Sequence, residues 1–310
     1  MPVGEPRSPP PVAALQPTAV GWRTSSAAGP TVTRHSGAMT HRPRDDRCPV
    51  AVVDDTLGVV TVRRDVSRPS VRMLQVDGQA YGAVDLLDLG RLELEYLVLL
   101  GAVTEALLPA GHCDLLHLGG GAFALPRALA VRRPELHQTV VESSAAVIGL
   151  AERELDLVAS PRLRVEHDDA RHAVEGHPTA AVDLVVGDAF VGRAIPAHLG
   201  TAEFVAEVAR VLRPRGAYVV NLIDSPPWSI VGAYAATIRT ALPYILAAGS
   251  PAVADLRASG NVLLIGSRRP LHRGGLQWRV RHAPRTIEFL SAARLTALAS
   301  VALPRHDTDL

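Results

Sequence analysis

The chain has 310 residues, 47% of them apolar, enough to fill the core of one large domain or two small ones. Its 32 basic and 31 acidic side chains leave a net charge of +1, which offers no field to nucleic acid or to an anionic membrane. Cys48 and Cys113 give neither a disulfide framework nor a zinc ligand set, and the longest apolar runs, such as YLVLLGAV, fall short of the roughly 20 residues that cross a bilayer, so a cytoplasmic protein without metal is expected.

Residues 1–46, with PRSPPPVAALQP and THRPRDDR, scatter prolines among charges without a period of 2 or 3.6. They read as a disordered tail that lacks the apolar stretch of a secretory signal, with Met39 as an alternative start of translation. Residues 47–110 read as a small β-domain and a connecting helix. VAVVDDTLGVVTVRRD and VRMLQVDGQAYGAV are β-rich runs broken at DDTLG and DG, the pattern of antiparallel hairpins. RLELEYLVLLGAVTEALL then sets Leu92, Tyr96, Leu99 and Leu100 at helical spacing before Pro109 and Gly111.

Across residues 111–267 the texture alternates. CDLLHLG, HQTVVE, LRVEH, VDLVVGD and AYVVNLI are short apolar runs separated by helical segments such as TAEFVAEVARVL, whose Phe204, Val205, Val208 and Leu212 share one face. Strands alternating with helices imply an α/β fold with a parallel sheet covered on both sides. YILAAG and NVLLIGS are expected to add strands at its edge. In the C-terminal extension, residues 268–310, only TIEFLSAARLTALASV reads as ordered, as one helix.

In such a sheet ligands sit beyond the carboxyl ends of the strands, where the strand order reverses. Gly119, Gly120 and Gly121 end the first strand of this series, and residues without side chains there let a ligand approach the backbone. The turn suits a loose dinucleotide loop, the nucleoside of another cofactor or a tight connection. Glu142, about 20 residues on at the end of the second strand, is placed to accept hydrogen bonds from ribose hydroxyls. Asp169, after the third strand, either receives the exocyclic amine of adenine or caps the next helix. Asp188, closing the fourth strand, is placed to orient a substrate amine and take its proton. His117, inside an apolar strand, reads as a satisfied core residue, and Trp228 in DSPPWS as a lip over an acceptor site or as a loop packed on the sheet.

The succession RMLQVDGQ, LHLGGGAFALPRAL, TVVE, DDAR, DLVVGDAF, TAEFVAEVARVLRPRGAYVVNLID and GNVLLIGS, from Arg72 to Ser267, resembles the spermidine synthase (polyamine aminopropyltransferase) family, particularly its divergent bacterial spermidine synthase-like members. The resemblance implies a small N-terminal antiparallel β-domain followed by a Rossmann-like fold of the class I S-adenosylmethionine-dependent methyltransferase type, often dimeric. It implies no prosthetic group but decarboxylated S-adenosylmethionine as co-substrate and an amine such as putrescine as acceptor. By the same resemblance the three glycines line the donor, Glu142 holds its ribose, Asp169 with Ala170 meets adenine, and Asp188 is the catalytic aspartate. Gln79, Tyr81, Tyr96 and Asp224 are the candidates for contact with the acceptor.

Several positions depart from the family pattern. Ala122 stands where an aspartate contacts the donor's amine, Val191 where a second aspartate follows the catalytic one, and Tyr81 where a glutamine is usual, with Gln79 out of register. These losses leave open a methyltransferase that uses S-adenosylmethionine on an unknown acceptor, and a noncatalytic nucleoside-binding relative. None of the three readings calls for a metal.

Overall fold

Aspartates shape the first turns of the computed structural model, which describes residues 49–310 together with the backbone of Thr31–Val32. The rest of the expected tail, with Met39 and Cys48, lies outside the described residues. Strand β1 (Thr31–Val32) pairs in parallel with β2 (Val50–Asp54), which forms an antiparallel hairpin with β3 (Gly58–Arg64). In the turn, Asp54 Oδ1 accepts the N–H groups of Thr56 and Leu57 at 2.9 and 2.8 Å, the local bonding for which aspartate is favoured there. Strands β4 (Val71–Val76) and β5 (Gln79–Asp85) are joined through Asp77 and Gly78, both with positive φ, as the DG signal predicts. The small sheet runs in order β1-β2-β3-β4-β5.

The connecting helix α1 (Glu95–Leu107) starts later than the sequence periodicity predicts. Leu92 precedes it, buried and paired in an antiparallel bridge with Val84, so the need to complete the small sheet overrides the helical spacing there. The alternating region follows as β6 (Asp114–Leu118), α2 (Ala124–Arg132), β7 (His137–Glu142), α3 (Ala145–Glu154), β8 (Leu163–His167), α4 (Ala170–Gly176), β9 (Val182–Gly187), α5 (Ala202–Val211), β10 (Leu212–Asp224), α6 (Ser229–Ile238), β11 (Tyr244–Gly249), α7 (Pro251–Ala254) and β12 (Gly260–Ser267). The extension holds α8 (Arg273–Val280), β13 (Glu288–Phe289) and α9 (Ala292–Ser300).

This extension corrects the expectation of a single terminal helix. RGGLQWRV, with two glycines, carries a weak helical signal, but His272 Nδ1 caps it by accepting the Gly275 N–H at 2.9 Å, and Leu276 and Val280 are buried in the same core cluster as α1. Within TIEFLSAARLTALASV the first residues pair as β13 with β11, and Ser291 then caps α9 by accepting the Arg294 N–H.

The large sheet has the order β13-β11-β12-β10-β9-β6-β7-β8, with β8, β7, β6, β9 and β10 parallel and β12, β11 and β13 joined antiparallel. This is the Rossmann-like arrangement of class I S-adenosylmethionine-dependent methyltransferases, preceded by a small antiparallel domain. Alternate residues feed two cores. Val186, Val219 and Leu263 join α1, α2, α3 and the small sheet, whereas Val185, Val220 and Leu264 join α4, α5, α6 and α9. Trp228 is buried in the second core, and so belongs to the packing of the sheet.

Strand order reverses between β6 and β9, so their carboxyl ends flank the topological switch point. Phe204, fully buried on α5, anchors the second core behind β9 and β10. Phe204→Ala is expected to lower the unfolding free energy by about 3–5 kcal/mol, read from urea denaturation.

Candidate active site

The glycine turn leaves β6 at Gly119, whose φ is +96°. A Cβ there would stand 2.6 Å from the carbonyl oxygen of Asp188 and 3.0 Å from Cα of Ala189, so the absence of a side chain lets the ends of β6 and β9 lie in contact. The strand ends are tied by Asp188 N–H to Leu118 O at 2.8 Å and Gly119 N–H to Val141 O at 2.8 Å. Gly120 and Gly121 donate their N–H groups to Glu142 Oε2 at 2.9 and 3.2 Å, and Ser144 donates its N–H to Oε1 at 2.9 Å. Glu142 is buried and held by three backbone donors, with one of its oxygens carrying a single bond. The turn and the acidic residue, 21 and 22 positions apart, therefore form one unit.

Asp169 occupies the N-cap of α4, accepting the N–H groups of Arg171 and His172 on Oδ1 at 2.8 and 3.2 Å. His198 Nε2 meets its other oxygen at 3.0 Å. Burial raises this carboxyl, but the bonds from His172 and His198 outweigh it and hold it below the ordinary carboxylate range. Ala170, the first residue of α4, is buried beside it.

Asp188 lies directly beyond β9, half-buried. Burial pushes its carboxyl up to about 7, against hydrogen bonds from Asn221 and Tyr96 that favour the charged form. Asn221 Nδ2 donates to Asp188 Oδ1 at 2.8 Å, and Asn261 Nδ2 donates to Asn221 Oδ1 at 3.0 Å, a chain of amides that fixes the carboxylate plane from β10 and β12. Burial and the neighbouring Asp188 charge push the Tyr96 hydroxyl well above 10, so it stays a neutral donor within reach of Asp188 and of Tyr81 O at 3.3 Å. The Tyr81 hydroxyl reaches across to Gly192 O and Phe190 O at 3.3 and 3.4 Å, joining β5 to the loop that follows Asp188.

Of the acceptor candidates, Tyr81 and Tyr96 converge on Asp188. Gln79 stands exposed at the hairpin end of β5. Asp224 is buried with its oxygens engaged by the N–H groups of Ser225 and Val231 at 2.7 and 2.8 Å, where it secures the first turn of α6. Ala122 is buried against β5: a Cβ at Gly82 would stand 2.6 Å from Ala122 Cβ. His117 is a core residue bonded to Gln138 Oε1 at 3.0 Å, and burial pushes its imidazole down to about 4 although that bond opposes the shift. Asn221 and Asn261 escape the sequence reading, although an asparagine in the apolar run AYVVNLI is a visible signal of a buried polar role.

The sequence is 38% identical over 113 residues to a polyamine aminopropyltransferase of Vibrio vulnificus (strain CMCP6), a stretch that spans 36% of this chain and 37% of that relative. A probable spermidine synthase from Corynebacterium glutamicum ATCC 13032 superposes with a TM-score of 0.73 at 25% identity, over 80% of this chain and 93% of that one. In both sequence and fold, then, the chain is similar to spermidine synthases. A spermidine synthase in complex with the transition-state analogue AdoDATO shares the fold, with a TM-score of 0.56 at 17% identity over 80% of this chain and 82% of that one. No protein-family model matches the sequence.

The contact at Gly119 is testable by one methyl group. Gly119→Ala places a side chain at positive φ and against the Asp188 carbonyl, so it is expected to cost more than about 1 kcal/mol in urea denaturation. The cost is expected to exceed that of Gly176→Ala, where a Cβ meets open space.

Proposed function

We propose that the chain moves the aminopropyl group of decarboxylated S-adenosylmethionine to a primary amine such as putrescine, in polyamine biosynthesis, with Asp188 as general base. The observation that carries this reading is a carboxyl raised to about 7, oriented by Asn221 and Tyr96, beside a glycine turn at the switch point. The similarity to proteins named polyamine aminopropyltransferase and spermidine synthase supports the reaction class.

An alkylammonium, with a pKa near 10.4, has no lone pair to attack with. Asp188 accepts one of its protons, and the freed amine attacks the carbon bonded to the sulfonium. The C–N bond forms as the C–S bond breaks, the bonding pair passes to sulfur, and methylthioadenosine leaves. A carboxylate at about 7 is a stronger base than an ordinary one, which narrows the gap to the ammonium while keeping the ionised form available at neutral pH. Tyr96 and the Tyr81 carbonyl supply a polar rim for the incoming nitrogen. On the donor side, Glu142, through its singly bonded oxygen, is assigned the ribose and Asp169 with Ala170 adenine, while the glycines leave the backbone open to the nucleoside. Holding donor and amine in line supplies much of the remaining acceleration.

One observation favours a second reading, methyl transfer from S-adenosylmethionine. Buried Ala122, packed on Gly82, offers no carboxylate to the donor's terminal ammonium.

Purified chain given decarboxylated S-adenosylmethionine and a panel of amines is expected to release methylthioadenosine. S-adenosylhomocysteine formed only from S-adenosylmethionine would establish the second reading instead. Because Asp188 acts ionised, kcat/KM is expected to climb as pH rises through about 7. Asp188→Asn is expected to lower it by about 10²–10⁴-fold while methylthioadenosine still raises the melting temperature. Unchanged turnover in this variant would remove Asp188 from its role.

A further inference from the structure

At the opposite end of the strands, where β6 and β7 begin, His112, Asp114 and His137 come together outside the site described above. Asp114 and His137 are direct partners in the parallel register, and the His137 N–H donates to Cys113 O at 2.9 Å, which sets the segment before β6 beside the start of β7. The two imidazole rings meet edge to face with centroids 4.2 Å apart. His137 Nδ1 is 3.6 Å from Asp114 Oδ1, and one ligand atom from each of the three residues lies within 4.8 Å of the others. Among the described residues this is the one group of three such side chains so arranged.

We propose that these residues form a binding site for a divalent transition-metal ion of the zinc, cobalt and nickel class, with a water completing the coordination. Two imidazoles and one carboxylate suit borderline cations, whereas magnesium and calcium favour all-oxygen sets. The carboxylate is already oriented. Arg213 Nη2 donates to Asp114 Oδ2 at 2.8 Å, leaving Oδ1 toward His137, and the same guanidinium pairs with Asp183, whose Oδ2 accepts the Asp114 N–H at 3.0 Å. Such outer contacts fix a ligand's direction. The neighbouring cations are already paired: Arg213 is shared between Asp114 and Asp183, and Arg133, which donates to Gly111 O at 3.1 Å beside His112, is bonded to Glu135. Bonds of 2.0–2.1 Å at tetrahedral angles bring ligand atoms to about 3.3 Å, so exposed His112 and half-buried His137 have to rotate to close up to about 1.5 Å.

The expectation of no zinc rested on cysteine number. This cluster uses none, and 22 residues separate Asp114 from His137 in the chain, so only strand pairing reveals it. A bound ion would clip the segment before β6 to the start of β7, at the end of the strands remote from Asp188.

The test is calorimetric titration of chelator-treated full-length chain with Zn²⁺, and with Co²⁺ for its visible ligand-field bands. One equivalent is expected to bind at micromolar concentration or tighter, with a higher melting temperature and no comparable binding of Mg²⁺. His112→Gln and His137→Gln are each expected to weaken binding at least tenfold. Their metal-free melting is the control for folding, and exposed His112 keeps the test intact should the other variant unfold. Absence of saturable binding at millimolar Zn²⁺, or binding unchanged in the doubly substituted chain, overturns the proposal, the latter because the chain carries twelve histidines. Aminopropyl transfer is read separately and is not expected to change in either variant.

Discussion

Gly119 and Asp188 touch backbone to backbone, and the candidate site is organised around that contact. Parallel strands β6 and β9 diverge in their onward connections at this point, which opens a crevice between the loops above them. With no side chain on Gly119, the crevice floor is made of peptide groups, and the carboxylate of Asp188, just past β9, is desolvated by burial. Its raised pKa follows from that burial. The amide chain from Asn261 through Asn221 then limits the shift and fixes direction, since both donors lie on strands held by the same sheet.

The small antiparallel sheet completes the crevice from the other side through three contacts of different chemistry. Gly82 packs on Ala122, the Tyr81 hydroxyl bonds to carbonyls of the loop after Asp188, and Asp54 Oδ2 accepts the Ser144 hydroxyl at 2.5 Å beside Glu142. The first of these bears on the alanine at position 122. Position 122 is filled by the approach of β5, and a carboxylate there would be buried against backbone without a partner, at considerable cost. The end of the crevice at Glu142 is thus polar and tightly bonded, whereas the far end is framed by alanine, tyrosine and a single raised carboxyl.

Much of this was legible in the sequence because the relevant signals are local. The alternation of apolar runs with amphipathic helices identifies the parallel sheet, and glycines directly after a strand, followed by acidic residues at successive strand ends, identify the crevice. What escaped depends on tertiary competition. Leu92 fits a helical face but completes a β-bridge, RGGLQWRV forms a helix through a histidine cap and burial, and Asp224, a spare carboxylate by position, is consumed by the N–H groups at the start of α6. Asn221 is a different case: its polarity is visible, but its partner lies 33 residues away, just past the end of another strand.

The central claim, that the fold raises the basicity of one aspartate at the switch point, is tested most directly by the ionisation of that carboxyl. Carboxyl ¹³C resonances of aspartate-labelled protein, assigned to Asp188 by comparison with Asp188→Asn, are to be followed with pH in the unliganded chain. A midpoint near 7 is predicted. A midpoint at the ordinary value of 3.8 would contradict the account, because it would mean that Asp188 is as well solvated as a surface carboxylate.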